Sequence, residues 1–228
     1  MTEVAPSAHG PVPLPGGAPL ASGRDADVYP LGPDRVLRRY RRGGDVGPET
    51  EVMTHLRRAG YPVPLVHSAA GADLVLERLS GPTMATAFLG GALDVVAGAR
   101  ILADLHRRLH ALPARRSSDP DVRILHLDLH PENVLLTPAG PVVIDWRNSD
   151  EGPPALDRAM SALILAEVAT DPGGKFAAPA GELLAAFLSE VGPATALDRA
   201  VALRTLTGRL GPARLATAAA LVRGAAPG

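Results

Sequence analysis

Between Leu20 and Leu79, apolar residues come in short runs broken by glycine and proline; beyond Ser80 they recur at helical spacing. The stretch "PLASGRDADVYPLGPDRVLRRYRR" predicts strand, glycine turn, strand, turn, strand, with Val28 and Tyr29 in the second strand and Val36 to Tyr40 in the third. Alternation along the third puts Val36, Arg38 and Tyr40 on one face and Arg39 on the other, where its loss is expected to be nearly silent for activity. "PETEVMTHLRRAG" predicts a short helix, with Pro48 in its first turn, Glu49 and Glu51 near its start and Gly60 at its end. "YPVPLVHSAAGADLVLERL" adds two strands around a glycine turn, completing a small β-rich lobe over residues 19–79. Past "SGP" at 80–82, Val95, Val96, Ala99, Leu102, Leu105, Leu109 and Leu112 trace a helix capped by Asp94 and stopped at Pro113. Four further helical stretches follow from "ALDRAMSALILAEVA" to "PARLATAAALVRG", giving a mainly helical lobe over residues 80–228, hinged near 77–82. Residues 1–18, rich in Pro and Gly, are expected to form a loosely ordered arm. The predicted class is α+β.

Composition narrows the chemistry. A formal net charge of −1 gives no field to recruit nucleic acid or a membrane surface. There are no cysteines, which excludes disulfides, thiolate metal sites and cysteine nucleophiles. No apolar run reaches the roughly 18 residues of a membrane span, and the N-terminus lacks a charged-then-apolar signal pattern, so a cytoplasmic enzyme is expected. Lys175 is the only lysine among the 23 Lys and Arg residues.

The densest polar group lies in "HLDLHPENVLLTPAGPVVIDW", residues 126–146. It predicts a loop through Asn133, a strand Val134 to Leu136, a turn at "TPAG" and a strand Val142 to Ile144, with the polar groups gathered at one end of a hairpin. Asp and Asn taken singly cap turns more often than they catalyse. Together they match what metal-assisted phosphoryl transfer needs: a carboxylate to accept the proton of the attacking hydroxyl, and oxygen ligands for magnesium. Asp128 suits the first role, Asn133 with Asp145 the second. A zinc site from His126 and His130 is disfavoured, because Pro131 argues against the helix that would align them.

"HLDLHPENVLL" and "VIDW" resemble the H-G-D-x-H-P-x-N and I-D-W motifs of the aminoglycoside phosphotransferase-like kinases, small-molecule relatives of the protein kinases, with Leu127 where the family has Gly. The resemblance covers Leu20 to about Ala169. It implies a protein-kinase-like bilobal fold, Mg2+, and ATP or GTP as phosphate donor. It also implies Asp128 as catalytic carboxylate, Asn133 and Asp145 as magnesium ligands, Asp157 holding the catalytic loop from the following helix, and His126 bracing that loop. In the N-terminal lobe, "LASGRDADVY" takes the place of the phosphate-covering loop, with Ser22 and Gly23 at its turn. Arg38 takes the place of the family's phosphate-binding lysine, paired with Glu49 or, as second choice, Glu51. Adenine contacts are expected from backbone groups at Glu77 and Leu79.

The resemblance implies a small-molecule hydroxyl as acceptor. Aminoglycosides, being polycations, require an acidic pocket; "RNSDE" at 147–151 offers two acids. From 192 to 228, Asp198 is the only acid against Arg199, Arg204, Arg209, Arg214 and Arg223, a pattern expected of a solvated helical face. The competing reading is a nucleotide-binding pseudokinase with a regulatory role, for which Arg38 speaks and intact Asp128 does not. A protein kinase is disfavoured, because "GPPALDRA" follows Asp145 too closely for a peptide-positioning segment.

Overall fold

The computed structural model describes residues 12, 16–208 and 210–225. The arm expected over residues 1–18 lies mostly outside them. The chain forms two compact units, Met1–Gly81 with Thr137–Arg147, and Pro82–Leu136 with Asn148–Gly228.

The first unit is built on a five-stranded antiparallel sheet of β1 (Ala21–Ser22), β2 (Ala26–Pro30), β3 (Arg35–Tyr40), β4 (Val66–Ala70) and β5 (Asp73–Glu77), in the order β1-β2-β3-β5-β4. The turn from β4 to β5 needs a left-handed residue, and Gly71 supplies it at φ 56°. One helix, α1 (Gly47–Arg58), starts with Pro48 in its first turn and gives way at Gly60, φ 77°. Arg38 pairs with Leu74 and Val36 with Leu76 across β3 and β5, so these share a sheet face. Leu74, Leu76, Val52, Met53 and Leu56 are all buried, each such side chain worth roughly 1.5–3 kcal/mol of burial. Trp146 joins this core fully buried: its Nε1 donates to the Val143 carbonyl at 3.0 Å and its ring meets Tyr61 edge-on at 5.7 Å.

The second unit is mainly helical. It contains α2 (Met84–Leu89), α3 (Val95–His110), a two-stranded sheet of β6 (Arg123–Leu125) with β9 (Asp150–Gly152), and helices α4 (Pro154–Ala169), α5 (Ala177–Val191), α6 (Leu197–Thr207) and α7 (Pro212–Ala225). Asp94 caps α3 by accepting from Ala97 N at 2.9 Å. The buried stripe of α3 runs through Gly98, Ala99, Leu102, Leu105, His106 and Leu109, which leaves Val96 half exposed rather than in the core. α4 is apolar on nearly all sides because α5, α6 and α7 all pack on it. The polar hairpin pairs β7 (Val134–Thr137) with β8 (Gly140–Val143). Its turn is tighter than expected, so β8 begins at Gly140 instead of Val142 and Ile144 falls outside it. Thr137 Oγ1 donates to the Gly140 carbonyl at 2.8 Å and accepts from Ala139 N at 3.2 Å. Among the described residues no helix is long and apolar enough to cross a membrane.

Arg39 carries a structural role that strand alternation does not reveal. Its Nε donates to Asp73 Oδ1 at 2.6 Å and its Nη2 to Asp73 Oδ2 at 2.5 Å, a two-pronged pair to a carboxylate that is only 3% exposed. Arg39→Ala strands that carboxylate with the Val12 N–H as its remaining donor. It should lower unfolding stability by roughly 1–3 kcal/mol while leaving nucleotide affinity unchanged. Urea midpoints for wild type and variant check this, and an unmoved midpoint would return Arg39 to a silent surface role.

Candidate active site

In the first unit the site is organised by the buried carboxylate of Glu49. Its Oε1 accepts from Arg38 Nη1 at 2.8 Å and from Trp146 N at 3.1 Å, and its Oε2 accepts from Tyr40 OH at 2.6 Å. Glu51, one turn position away, is exposed. Strand alternation explains the convergence: Arg38 and Tyr40 leave one face of β3 toward α1, and Arg39 leaves the other. The second prong of Arg38, Nη2, donates to Asp145 Oδ1 at 2.5 Å. Burial works against the Arg38 charge, but Glu49 and then Asp145 outweigh it and hold the guanidinium above the usual arginine range. The Arg38 and Arg147 guanidinium carbons lie 4.9 Å and 4.3 Å from the Tyr40 ring centre. Burial pushes the Tyr40 phenol up, so it remains a donor to Glu49.

Asp145 sits at φ 65°, in the left-handed region that side chains other than glycine rarely adopt. The bond from the next residue's N–H to Glu49 helps hold it there. Asp145 Oδ2 makes no hydrogen bond among the described residues. Ser22 ends β1, and Gly23 N donates to the Ala26 carbonyl at 2.9 Å in the following turn. A Cβ at Gly23 would meet only that carbonyl, at an ordinary 3.5 Å, so the turn itself does not demand glycine. The Glu77 carboxylate is turned to its own sheet edge, accepting from Leu65 N at 3.0 Å and pairing with Arg57 at 3.4 Å. Leu79 lies just beyond β5, outside any strand or helix.

In the second unit the organiser is Asp157, fully buried near the start of α4. Its Oδ1 accepts from Leu127 N at 2.7 Å; its Oδ2 accepts from His126 N at 3.1 Å and from His110 Nε2 at 3.0 Å. His106 Nδ1 lies 3.5 Å from the same Oδ2. Desolvation opposes the Asp157 charge, but the two histidines hold its carboxyl well below the usual range. His106, His110 and Asp157 bring three ligand atoms within 4.8 Å of one another. With Asp157 already accepting from two backbone N–H groups and His110, the cluster is a brace for the loop. Leu127, at φ 61°, shows why the motif it resembles carries glycine. The leucine costs about 1–2 kcal/mol in that conformation, and its N–H bond to Asp157 offsets part of this.

His126 Nδ1 accepts from Asp128 N at 3.2 Å, and Asn133 Nδ2 donates to the Asp128 carbonyl at 2.9 Å. That bond turns one arm of Asn133 inward and leaves its Oδ1 without a partner among the described residues. The Asp128 carboxylate has a donor near each oxygen: Arg204 Nη1 at 3.5 Å from Oδ1 and Asn148 Nδ2 at 3.4 Å from Oδ2. Burial lowers the pKa of His130, which lies 3.9 Å from Asp128 Oδ1.

Arg204, Glu167 and Asn148 were not singled out by the sequence. Arg204 departs from the solvated face expected of the C-terminal arginines, because α6 turns it onto Glu167, which is 8% exposed. A helical run with an arginine about every five residues carries no signal for which one faces inward. The two acids of "RNSDE" are likewise not a free acidic rim: Asp150 pairs with Arg116 at 2.5 Å, and Glu151 accepts from Arg115 N at 3.0 Å and Arg116 N.

A family model described as the phosphotransferase enzyme family, APH, matches residues 16–121 and 91–200. Solved structures with the same fold include an aminoglycoside-3'-phosphotransferase of type VIII, 22% identical with a TM-score of 0.54 and 90% of each chain covered. They also include a choline/ethanolamine kinase family protein from Mesorhizobium loti, 16% identical with a TM-score of 0.56, covering 90% of this chain and 86% of that one. A third is the gentamicin complex of APH(2")-IIa, 14% identical with a TM-score of 0.57 and 90% of each chain covered. No match is found among curated proteins. The α+β fold, with a β-sheet N-terminal lobe and a mainly helical C-terminal lobe, is the one these structures share. The chain belongs to the APH phosphotransferase family of small-molecule kinases.

Asp157→Asn swaps one acceptor oxygen for an amide that must face a backbone N–H or an imidazole. It should cost roughly 2–4 kcal/mol of stability, read as a lowered denaturant midpoint, together with faster hydrogen exchange at Leu127 N. Unchanged exchange there would show that the carboxylate does not hold the loop.

Proposed function

We propose that this phosphotransferase is a Mg2+-dependent kinase that moves the γ-phosphate of ATP, or GTP, to the hydroxyl of a small molecule. In this reading residues 19–79 bind the nucleotide and residues 80–228 carry the catalytic loop and the acceptor. The observation that supports it most is the state of the two expected metal ligands. Asn133 and Asp145 each have one arm tied, to the Asp128 carbonyl and to Arg38, and one oxygen left without a partner among the described residues. Each is a hard oxygen donor of the kind magnesium takes, and each suits softer metals poorly. Magnesium held by such oxygens would offset the charge of the phosphate oxygens.

The rest of the chemistry falls to the chain's own groups. Asp128 accepts the proton of the acceptor hydroxyl as that oxygen bonds to the γ-phosphorus, and the bond to the bridging oxygen breaks to release the nucleoside diphosphate. Arg38 keeps the charge and the glutamate partner that the lysine at this position would have, with two prongs where lysine has one. That supports an active enzyme over a regulatory pseudokinase. His126 and Asp157 hold the loop, Ser22 and Gly23 lie in the phosphate-covering turn, and backbone groups at Glu77 and Leu79 take the base.

Asp128→Asn should abolish transfer yet leave Mg·ATP affinity nearly intact, since the carboxylate addresses the acceptor. Asp145→Ala should instead lose the extra thermal stabilisation that magnesium adds to nucleotide. Calorimetric scans and single-turnover assays on both variants separate the two roles; near-normal transfer by Asp128→Asn would sink the assignment.

The acceptor class follows from charge. With Asp150 and Glu151 held by Arg115 and Arg116, the rim offers little to a polycation. Across a panel of aminoglycosides, amino alcohols and sugars, kanamycin-like compounds should be poor acceptors. Their efficient turnover at micromolar concentration would reverse this reading of the pocket.

A further inference from the structure

We propose that Arg204 is a positioning residue for phosphoryl transfer, fixing the orientation of the Asp128 carboxylate from helix α6 while Glu167 clamps the guanidinium. The proposal rests on the reading of Asp128 as the group that takes the acceptor's proton.

The geometry separates the two ends of the guanidinium. Its Nε donates to Glu167 Oε1 at 2.9 Å and Oε2 at 3.2 Å, and its Nη2 donates to Oε2 at 2.8 Å. A planar fork gripped on one edge by a carboxylate cannot rotate without breaking both bonds. The direction of the remaining nitrogen is therefore set by Glu167, and Nη1 comes to 3.5 Å from Asp128 Oδ1. Asn148 Nδ2, 3.4 Å from Oδ2, completes the frame. Both donors stand at the long end of hydrogen-bonding range. They can align the carboxylate yet leave its lone pairs open to an acceptor hydroxyl.

Charge balance depends on the clamp. An arginine with no other partner would collapse onto Asp128 as a tight ion pair and occupy the lone pairs the reaction needs. Glu167 takes the strong bonds instead, and the three side chains together keep the net negative charge of Asp128. Burial works against the Arg204 charge, but Glu167 and then Asp128 hold it above the usual arginine range. The other described arginines at this end of the chain that form ion pairs, Arg214 and Arg223, meet exposed acids, Asp171 and Asp198, and are ordinary surface pairs. The backbone is shaped around Arg204 as well. Gly208 N donates to the Arg204 carbonyl at 2.6 Å, and a Cβ at Gly208 would lie 2.5 Å from that carbonyl and 3.1 Å from Arg204 Cγ. The chain thus folds back over the arginine stem where only glycine fits. The match to the phosphotransferase family ends at residue 200, before Arg204, so the device lies outside the matched stretch.

The test uses the full chain, with Mg·ATP hydrolysis and transfer to whichever panel alcohol the wild type phosphorylates as probe reactions. Arg204→Ala should lower kcat about 10- to 100-fold, the scale of a misplaced catalytic group, with Mg·ATP affinity within about twofold of wild type. Added guanidinium ion should restore part of that loss, and Arg204→Lys should not, because an ammonium cannot grip Glu167 on one edge and reach Asp128 from the other. Glu167→Gln should also depress kcat. Should Arg204→Ala fail to fold, Arg204→Gln takes its place in the same comparison. Wild-type kcat in the alanine variant would overturn the proposal alone. Loss of rate with a lowered thermal midpoint and no guanidinium rescue would make the residue merely structural and overturn it too. A wild type with no turnover of any acceptor or of Mg·ATP would overturn the kinase reading, and this proposal with it.

Discussion

A buried carboxylate with no partner is among the least tolerable groups in a folded protein, and Glu49 is the one around which the first unit is built. Its desolvation costs several kcal/mol unless donors replace the lost water. Three do so, from Arg38 and Tyr40 on β3 and from the backbone of Trp146. Satisfying this one charge ties the sheet, helix α1 and the returning segment Thr137–Arg147 together. It also leaves the second prong of Arg38 directed at Asp145. This arrangement is thus a consequence of how a single buried charge is satisfied.

Asp157 plays the same part in the second unit, and the parallel extends to backbone strain. Among the described residues only Leu127 and Asp145 have positive φ without being glycine. Leu127 donates its N–H to Asp157, and the residue after Asp145 donates its N–H to Glu49. Residues held in sparsely populated conformations persist only where their surroundings over-determine them. Each buried carboxylate supplies that constraint beside a candidate functional residue: Asp128 follows Leu127, and Asp145 is itself an expected ligand. Local strain, charge burial and site placement are one problem solved twice.

What the sequence made legible follows from the range of the signals. Strand alternation separated Arg38 from Arg39, and glycine and proline punctuation marked the ends of α1 and the turn between β4 and β5, because these depend on neighbours a few residues apart. The worth of Arg39 was not legible, since its partner Asp73 lies on another strand and nothing local marks that acid as buried. Val96 fits the helical period of α3 and still faces outward, because periodicity gives a stripe but not its width. The bonds around Asp157 span about 30 to 50 residues of chain, so its role could be inferred only from the motif's resemblance to a known family. Asp150 and Glu151 looked like a free acidic rim for the same reason that Arg204 looked solvated: ion pairing over long sequence distance leaves no periodic trace.

The single lysine in the chain can be read beside the two arginines with proposed roles. Arg38 bridges a buried clamp, Glu49, and an expected metal ligand, Asp145; Arg204 bridges a buried clamp, Glu167, and the expected proton acceptor, Asp128. At Arg204, Glu167 grips Nε and Nη2 and so fixes the plane, leaving Nη1 toward Asp128; at Arg38, Glu49 takes Nη1 and Nη2 addresses Asp145. The task needs a rigid, always-charged fork with donors on two edges, which an ammonium at the end of a flexible stem does not provide. A lysine at either position would neutralise one acid well and leave the geometry of the other to chance. An arginine at the place proposed for the family's lysine is therefore compatible with an active site, because a similar arrangement recurs at Arg204, beyond the stretch the family model matches. At both places one constraint operates: a candidate functional carboxylate is addressed by an arginine that a buried acid also holds.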